Sequence, residues 1–415
     1  MASYVIEGGK RLEGETYVSG SKNASLPIIA ASILNKGTST LYNVPNIYDT
    51  KAILEILRVL GGKIVKKNNK IIIDTSKIEN KEIPEILMRK IRSSVVLAGA
   101  ILGRFKEATF SYPGGCEIGA RPIDLHLKAF KKLGINIEEN SGFIRCTCDK
   151  IIGADINLDF PSVGATENII LATVLAEGVT TISNAAMEPE IEDLAKFLNK
   201  MGAKIQGAGT NFIKITGVKS LRDVGYKIMP DRIETGTFLC MAGATNGKIE
   251  IINTNSEHVT PIIHKLQECG CELEVEKNRI KIDARKKLKA VDIKTLPYPG
   301  FPTDMQSVFG SMLTTAKGTS IIVENIFENR YKYINELQRM GAKITIEGKT
   351  AIIKGVRRLN GAVVSSSDLR GGAALVTAGL GAKGKTTVEN IEYILRGYEK
   401  LDSKLQELGA NIKII

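Results

Sequence analysis

The sequence predicts an α/β protein made of six copies of one unit, three in each of two domains. Three observations carry this reading. A short phrase returns six times at near-equal spacing, helical and strand periodicities alternate in the same order within each interval, and the chain runs to 415 residues. That length exceeds what one hydrophobic core usually organises and suits two domains of roughly 200 residues each.

The phrase is LGGKI at Leu60, LGINI at Leu133, MGAKI at Met201, CGCEL at Cys269, MGAKI at Met340 and LGANI at Leu408. Its first glycines (Gly61, Gly134, Gly202, Gly270, Gly341 and Gly409) lie 73, 68, 68, 71 and 68 residues apart. A fixed period of this kind marks an internal repeat.

The third copy shows the elements in order. ATENIILATVLAEG has helical apolar spacing and is expected to close at Gly178. TTISN alternates like a strand, and EPEIEDLAKFLNKM reads as a second, amphipathic helix closed by Gly202. AKIQG and NFIKITG form a strand pair, and YKIMP leads on into the next copy. GTSTLYN, GKIEIIN, GTSIIVEN and GKTTVEN stand where the third copy has GVTTISN. The second copy departs, with EATFSYPGG in that place.

The last copy stops at Ile415, short of its closing strands, and the N-terminal YVIEGGKRLEGETYVSG resembles what is missing. Residues 1 to about 21 are therefore expected to complete it. This gives one domain of 22–229 and another of 1–21 plus 230–415, joined by two crossings that favour a hinge and a cleft.

Composition narrows the classes of function. The net charge is +12, with 43% apolar and 25% charged residues. Most lysines read as solvated faces, although a basic cleft for an anionic partner remains open. Nucleic acid is disfavoured, because aromatic and basic residues are not interleaved and no run of five basic residues occurs. The N-terminus MASYVIEGGK lacks the apolar core of a secretory signal, and runs such as VVLAGAIL fall far short of the ~18 residues a membrane helix needs. A cytoplasmic protein with reduced thiols, without membrane insertion, is the expectation. Cys146/Cys148 and Cys269/Cys271 each form C-x-C. This spacing departs from usual zinc pairs and, in a strand, merely puts two small apolar residues on one face.

The residues where each unit enters its first helix are the informative ones. They read GSKNA (Lys22, Asn23), KIRSS (Arg92), PSVGAT (Ser162, Val163, Gly164), PDRIETG (Asp231, Arg232, Glu234), FPTDMQ (Thr303, Asp304) and SDLRGG (Asp368, Arg370). Helix capping accounts for Ser162, Thr303 and Asp368. It does not account for Lys22, Arg92, Arg232 and Arg370, since a cation near a helix N-terminus opposes the dipole. A repeated local violation is what an anion site would leave behind. The second loops add Cys116 and Arg121, Glu188 and Glu190, Asn329 and Arg330, and Arg396. Guanidiniums on short or glycine-framed loops suit bidentate recognition of phosphate and carboxylate. PGGCEIGARP, around Cys116, sets a thiol among glycines five residues before an arginine, an unusual place for a merely structural cysteine. With three histidines and no Ser-His-Asp set, chemistry falls to Asp, Glu, Lys and Cys.

SGSKNASLP, PGGCEIGARPIDLH, SVGAT, DRIETGTF, FPTDMQ, FENR, DLR and RGYE occur in that order, and with them the whole chain resembles the enolpyruvyl transferases, in particular those that act on UDP-N-acetylglucosamine. The resemblance implies a two-domain inside-out α/β barrel of six βαβαββ-type repeats, with the active site in the interdomain cleft. It implies transfer of the enolpyruvyl group of phosphoenolpyruvate to the sugar 3-hydroxyl by addition and elimination, as the first committed step of peptidoglycan synthesis. No cofactor and no metal are implied, and a monomer with small-molecule partners is expected. Lys22, Arg92, Arg121 and Arg396 would hold the phosphoenolpyruvate anions, Asn23 would orient the sugar, and Asp304 would be the general base. Arg121, Pro122, Ile123, Asp124, Leu125 and His126, with Ser162, Val163 and Gly164, would bind the uridine diphosphate. Ile326 would line the sugar pocket through its backbone, and Arg330 and Arg370 would shape the closed site. Cys116 would serve proton delivery and product release, and be the target of the epoxide fosfomycin. Tyr48 and Phe160 stand where such chains often carry lysine. The shikimate 3-phosphate branch, a silent paralogue and a basic clamp protein remain as alternatives.

Overall fold

A computed structural model describes residues 2–67, 70–90, 95–111, 123–140 and 142–415. In the third copy, strand Asp155–Asn157 leads into helix Val163–Thr173, and strand Val179–Ser183 then runs parallel to the first strand. Helix Pro189–Lys200 follows, opened by a proline whose missing N–H costs nothing at that position. The strands Lys204–Gln206 and Phe212–Thr216 return antiparallel, the second beside Val179–Ser183. The result is a four-stranded sheet made by a βαβαββ unit.

Five four-stranded sheets and one of three strands occur among the described residues. The small sheet (Glu107–Ser111, Phe143–Thr147, Asn136–Asn140) belongs to the aberrant second copy, where the short helix Glu85–Lys90 precedes the first long helix.

The recurring phrase has a backbone cause. All six of its first glycines have positive φ, from +79° at Gly134 to +105° at Gly202. A Cβ at Gly134, Gly202 or Gly270 would meet nothing within 4 Å, so backbone conformation rather than crowding demands glycine. A second repeated device closes the central strands. Asn43, Asn184 and Asn253 adopt φ of +60°, +56° and +54°. Their side-chain amides donate to the carbonyls of Ile228, Leu158 and Val18.

The first helix of each unit is interior and the second is amphipathic. In Lys22–Ala31 every residue from Ala24 onward is buried, and Val163–Thr173 is buried from Ala165 onward. Pro189–Lys200 buries Ile191, Leu194, Phe197 and Leu198 on one face. The sheets turn Tyr17, Val179, Phe212 and Ile321 outward. Helices inside and sheets outside are the inside-out α/β arrangement.

The chain falls into two compact units that part between Ser19 and Gly20 and between Met229 and Pro230. Each has its own apolar core. The strand that leads into Lys22–Ala31 (Glu13–Tyr17) lies parallel to Lys248–Ile252. The strand that leads into Arg232–Thr245 (Val224–Lys227) lies parallel to Thr38–Tyr42. Each crossing thus leaves its edge strand in the unit it departs from. In the last sheet Tyr4–Glu7 sits between Lys385–Glu389 and Asn411–Ile414, with Tyr4 opposite both Val388 and Ile414.

Three local expectations are corrected. The helix expected to close at Gly178 ends at Thr173, and Gly178 makes the turn into the next strand. Thr303 is not a cap: Pro302 holds the cap position, and the Thr303 hydroxyl donates to Glu324 Oε2 at 2.9 Å. Cys269 and Cys271 do not share a strand, because Cys269 caps a helix and Gly270 turns the chain between them.

Candidate functional site

The expected site residues fall into two sets, one in each unit. In the unit of residues 230–415, helix Thr303–Leu313 presents Asp304 in its first turn. Buried Glu324 organises the loop that follows strand Thr319–Val323. Its Oε1 accepts from the Thr295 hydroxyl and from the N–H groups of Ile326 and Phe327, at 2.8, 2.8 and 3.2 Å. That loop ends in Arg330, whose Nη2 donates to Asp304 Oδ1 at 2.8 Å and to the Thr303 carbonyl at 3.3 Å.

Arg370 reaches the other oxygen. Its Nη2 and Nε lie 3.0 and 3.3 Å from Asp304 Oδ2. Asp368 caps this arginine's helix by accepting from the N–H groups of Arg370 and Gly371. The guanidinium lies 5.3 Å from the ring centre of Tyr398, whose hydroxyl pairs with Thr237 at 2.9 Å. Both arginine side chains are 3% exposed and Asp304 is 29% exposed. Burial works against the Arg370 charge, but Tyr398, Asp304 and Asp231 more than offset it and hold the guanidinium protonated. Nε of Arg330 and Nη1 of Arg370 are buried donors without a hydrogen-bond partner among the described residues. Two guanidiniums converge on this one carboxylate, and such donors suit recognition of an anion. Arg396 ends the turn Ile394–Arg396 and is partly exposed.

In the other unit, Ser21 caps helix Lys22–Ala31 by accepting from the Ala24 N–H at 3.2 Å. Lys22 Nζ lies 3.0 Å from Asp49 Oδ2, with Asp49 3% exposed. Asp49 thus supplies part of the balance for a cation the helix dipole disfavours. The sequence reading missed Asp49 because an acid in the first turn of helix Tyr48–Val59 breaks no local rule. Asn23 beside Lys22 is partly exposed.

Ser162 caps helix Val163–Thr173 by accepting from the Ala165 N–H at 3.3 Å, leaving Val163 and Gly164 in the first turn. The His126 ring rests against Gly164: a Cβ there would lie 3.2 Å from its Cε1. Ile123 is buried at the start of helix Asp124–Lys132, Asp124 is exposed, and Leu125 is partly buried. The buried Asn168 lies 2.7 Å from His126 Nδ1, and nothing in its sequence context singled it out. Glu167, beside it, is buried. Desolvation and then the like charges of Glu190 and Glu188 push its carboxyl well above the usual range. Tyr48 and Phe160 are 47% and 44% exposed, and Lys51 Nζ lies 5.6 Å from the Tyr48 ring centre. Arg92, Cys116, Arg121 and Pro122 lie outside the described residues.

The five cysteines among the described residues are free. Burial pushes Cys146, Cys269 and Cys271 up to about 12, so these thiols stay protonated and poorly nucleophilic. Among the described residues no group of three or more His, Cys, Asp and Glu is placed to hold a metal ion, and no helix is long and apolar enough to cross a membrane.

The chain resembles known proteins along its whole length. Residues 6–405 match the sequence model of the family described as EPSP synthase (3-phosphoshikimate 1-carboxyvinyltransferase). UDP-N-acetylglucosamine 1-carboxyvinyltransferase 2 of Caldanaerobacter subterraneus subsp. tengcongensis is 54% identical over 413 residues, covering 99% of both chains. The protein of the same name from Carboxydothermus hydrogenoformans is 51% identical, covering 100% of this chain and 99% of its own. Among solved structures, the enolpyruvyl transferase NikO from Streptomyces tendae superposes with a TM-score of 0.91 at 24% identity, covering 100% of this chain and 99% of its own. An EPSP synthase from Acinetobacter baumannii gives 0.78 at 19% identity with full coverage of both chains. At those identities the two structures bear on the fold alone.

Proposed function

Because the chain belongs to the UDP-N-acetylglucosamine 1-carboxyvinyltransferases of the EPSP synthase family, we propose that it transfers the 1-carboxyvinyl group of phosphoenolpyruvate to the 3-hydroxyl of UDP-N-acetylglucosamine and releases phosphate. This is the first committed step of peptidoglycan synthesis. The observation that carries the reading is full-length identity of about half to proteins of that name, with Asp304 held between Arg330 and Arg370.

The reaction runs in two stages. In the addition, the 3-hydroxyl oxygen bonds to C2 of phosphoenolpyruvate, its proton passes to Asp304, and C3 of the double bond takes a proton that Cys116 delivers. The product is a tetrahedral phospho-ketal. In the elimination, the new methyl group loses a proton, the double bond reforms and the C2–O bond to phosphate breaks. Lys22, Arg92, Arg121 and Arg396 hold the phosphate and carboxylate and stabilise charge as it moves between them. Asn23 orients the sugar and the intermediate.

Both oxygens of Asp304 accept from guanidiniums, and Oδ1, with one arginine donor, keeps a second lone pair to take the hydroxyl proton. Ile326 N–H is engaged by Glu324, which leaves its carbonyl to meet the sugar. Ile123 to His126 and Ser162 to Gly164 receive the uridine diphosphate, with Arg121 and Pro122 beside them. The two domains are 22–229 and 1–21 plus 230–415, and the enzyme acts as a cytoplasmic monomer.

The test is phosphate release from phosphoenolpyruvate with UDP-N-acetylglucosamine and with shikimate 3-phosphate in parallel, each with and without fosfomycin. Release with the nucleotide sugar alone, blocked by the epoxide, is the expected result. Release with shikimate 3-phosphate alone would move the chain to the other branch of its family.

A further inference from the structure

Asn168 is fully buried on helix Val163–Thr173, one turn beyond Gly164. Its amide is engaged at both ends. Oδ1 accepts from the Gly99 N–H at 2.8 Å, Nδ2 donates to the Val95 carbonyl at 3.1 Å, and Nδ2 also lies 2.7 Å from His126 Nδ1.

The two backbone contacts decide which end of the amide is which. A backbone N–H only donates, so the atom facing Gly99 must be oxygen. A carbonyl only accepts, so the atom facing Val95 must be the NH2 group. That group cannot accept a hydrogen bond, so His126 Nδ1 must be the acceptor. An accepting imidazole nitrogen carries no proton, and the ring proton therefore sits on Nε2. The Nε2 edge faces the first turn of Asn168's own helix, since a Cβ at Gly164 would lie 3.4 Å from it.

We infer that Asn168 is a positioning residue for nucleotide binding: it fixes His126 as the neutral Nε2–H tautomer, so that the ring offers a donor beside Val163 and Gly164 to an acceptor oxygen of the uridine diphosphate. The inference rests on the nucleotide site proposed above. Charge recognition is left to Lys22 and the arginines, and His126 contributes direction. Asn168 also ties its helix to Val96–Phe105 through Gly99, so the test must separate positioning from packing.

The enzyme is labelled with 15N-histidine, and long-range 1H–15N spectra are recorded without substrate. Three histidines are present in the chain, and His126→Gln identifies the resonance. The expected wild-type spectrum shows a bare, pyridine-type Nδ1 and a protonated Nε2. Asn168→Asp keeps the size and the acceptor for Gly99 but faces Nδ1 with an acceptor, and should put a proton on Nδ1. KM for UDP-N-acetylglucosamine should then rise about tenfold or more, as for loss of a hydrogen bond to a charged group, while kcat and KM for phosphoenolpyruvate change by less than about twofold. His126→Gln should raise the same KM, and the double variant should add little to either single change.

A wild-type ring that is averaged between tautomers or protonated on Nδ1 overturns the inference, whether or not Asn168→Asp folds. So does a folded Asn168→Asp variant with wild-type KM, or a double variant whose effects simply add. A wild-type enzyme that releases no phosphate with UDP-N-acetylglucosamine would refute the proposed substrate, and with it the ligand assigned to His126. The imidazole spectrum would still pass or fail as a statement about Asn168.

Discussion

Replacing Asp304 with asparagine tests the chemistry and the architecture of the site together. The carboxylate stands between two guanidiniums whose side chains are each 3% exposed. Asparagine keeps one acceptor oxygen, so one arginine retains a partner and the other meets an NH2 group. Breaking a fully buried pair costs about 3–5 kcal/mol. Asp304 is 29% exposed, and solvent screening reduces the expected loss to about 2 kcal/mol. For a unit of roughly 200 residues this lowers Tm by about 4–8 °C. Turnover should fall much further, by about 10²- to 10⁴-fold, because the proton acceptor is gone. The assay is phosphate release, with calorimetric binding of UDP-N-acetylglucosamine and a thermal melt on the same preparation. Binding should persist. The double variant Asp304→Asn/Arg370→Met, which removes the stranded charge, should recover much of the Tm and none of the turnover. A melted Asp304→Asn protein would leave the double variant to decide the chemistry. Turnover within about tenfold of wild type in either variant would remove Asp304 from the role of base.

Other outcomes follow from single residues. Cys116→Asp should keep turnover and lose fosfomycin sensitivity, and unchanged inhibition would show that the thiol is not the target. Gly202→Ala should cost about 1–2 kcal/mol in denaturant unfolding without affecting KM, because φ is +105° and the added methyl has open space; a neutral change would contradict the backbone account of the repeat. Asp193 accepts from the Tyr226 hydroxyl and the Met229 N–H, yet burial raises its carboxyl to about 6. The folded form therefore holds the proton more tightly than the unfolded chain, and stability falls as pH rises from about 4 to about 6. Asp193→Asn should flatten that part of the stability–pH curve by up to about 3 kcal/mol, at 1.36 kcal/mol per unit, and an unchanged slope would refute the assignment.

What the sequence determined by itself was whatever has a local cause. The six glycines were legible because a left-handed residue after a helix excludes most side chains, and the strand–helix alternation was legible because burial imposes a period on each element. Lys22, Arg232 and Arg370 stood out because a cation in a helix's first turn opposes the dipole. The tertiary structure decided what those side chains meet. Asp304 finds Arg330 and Arg370 at separations of 26 and 66 residues, and Asn168 finds His126 at 42. None of these pairings leaves a trace in the periodicity of its own helix. Interior helices such as Val163–Thr173 are buried nearly all round, so their pattern does not say which neighbour each face meets. Asp49 escaped notice because an acid in a helix's first turn satisfies the local rule, and Asn168 because one polar residue inside an apolar helix does not say what it will meet; each role appears only when a second helix brings a lysine or an imidazole to it. Thr303 shows the converse, a residue with every local sign of a cap that the fold instead spends on the buried carboxylate of Glu324. Local sterics and solvation act through the backbone nearby and are written along the chain; partners across a core are chosen by packing, which only the assembled helices define.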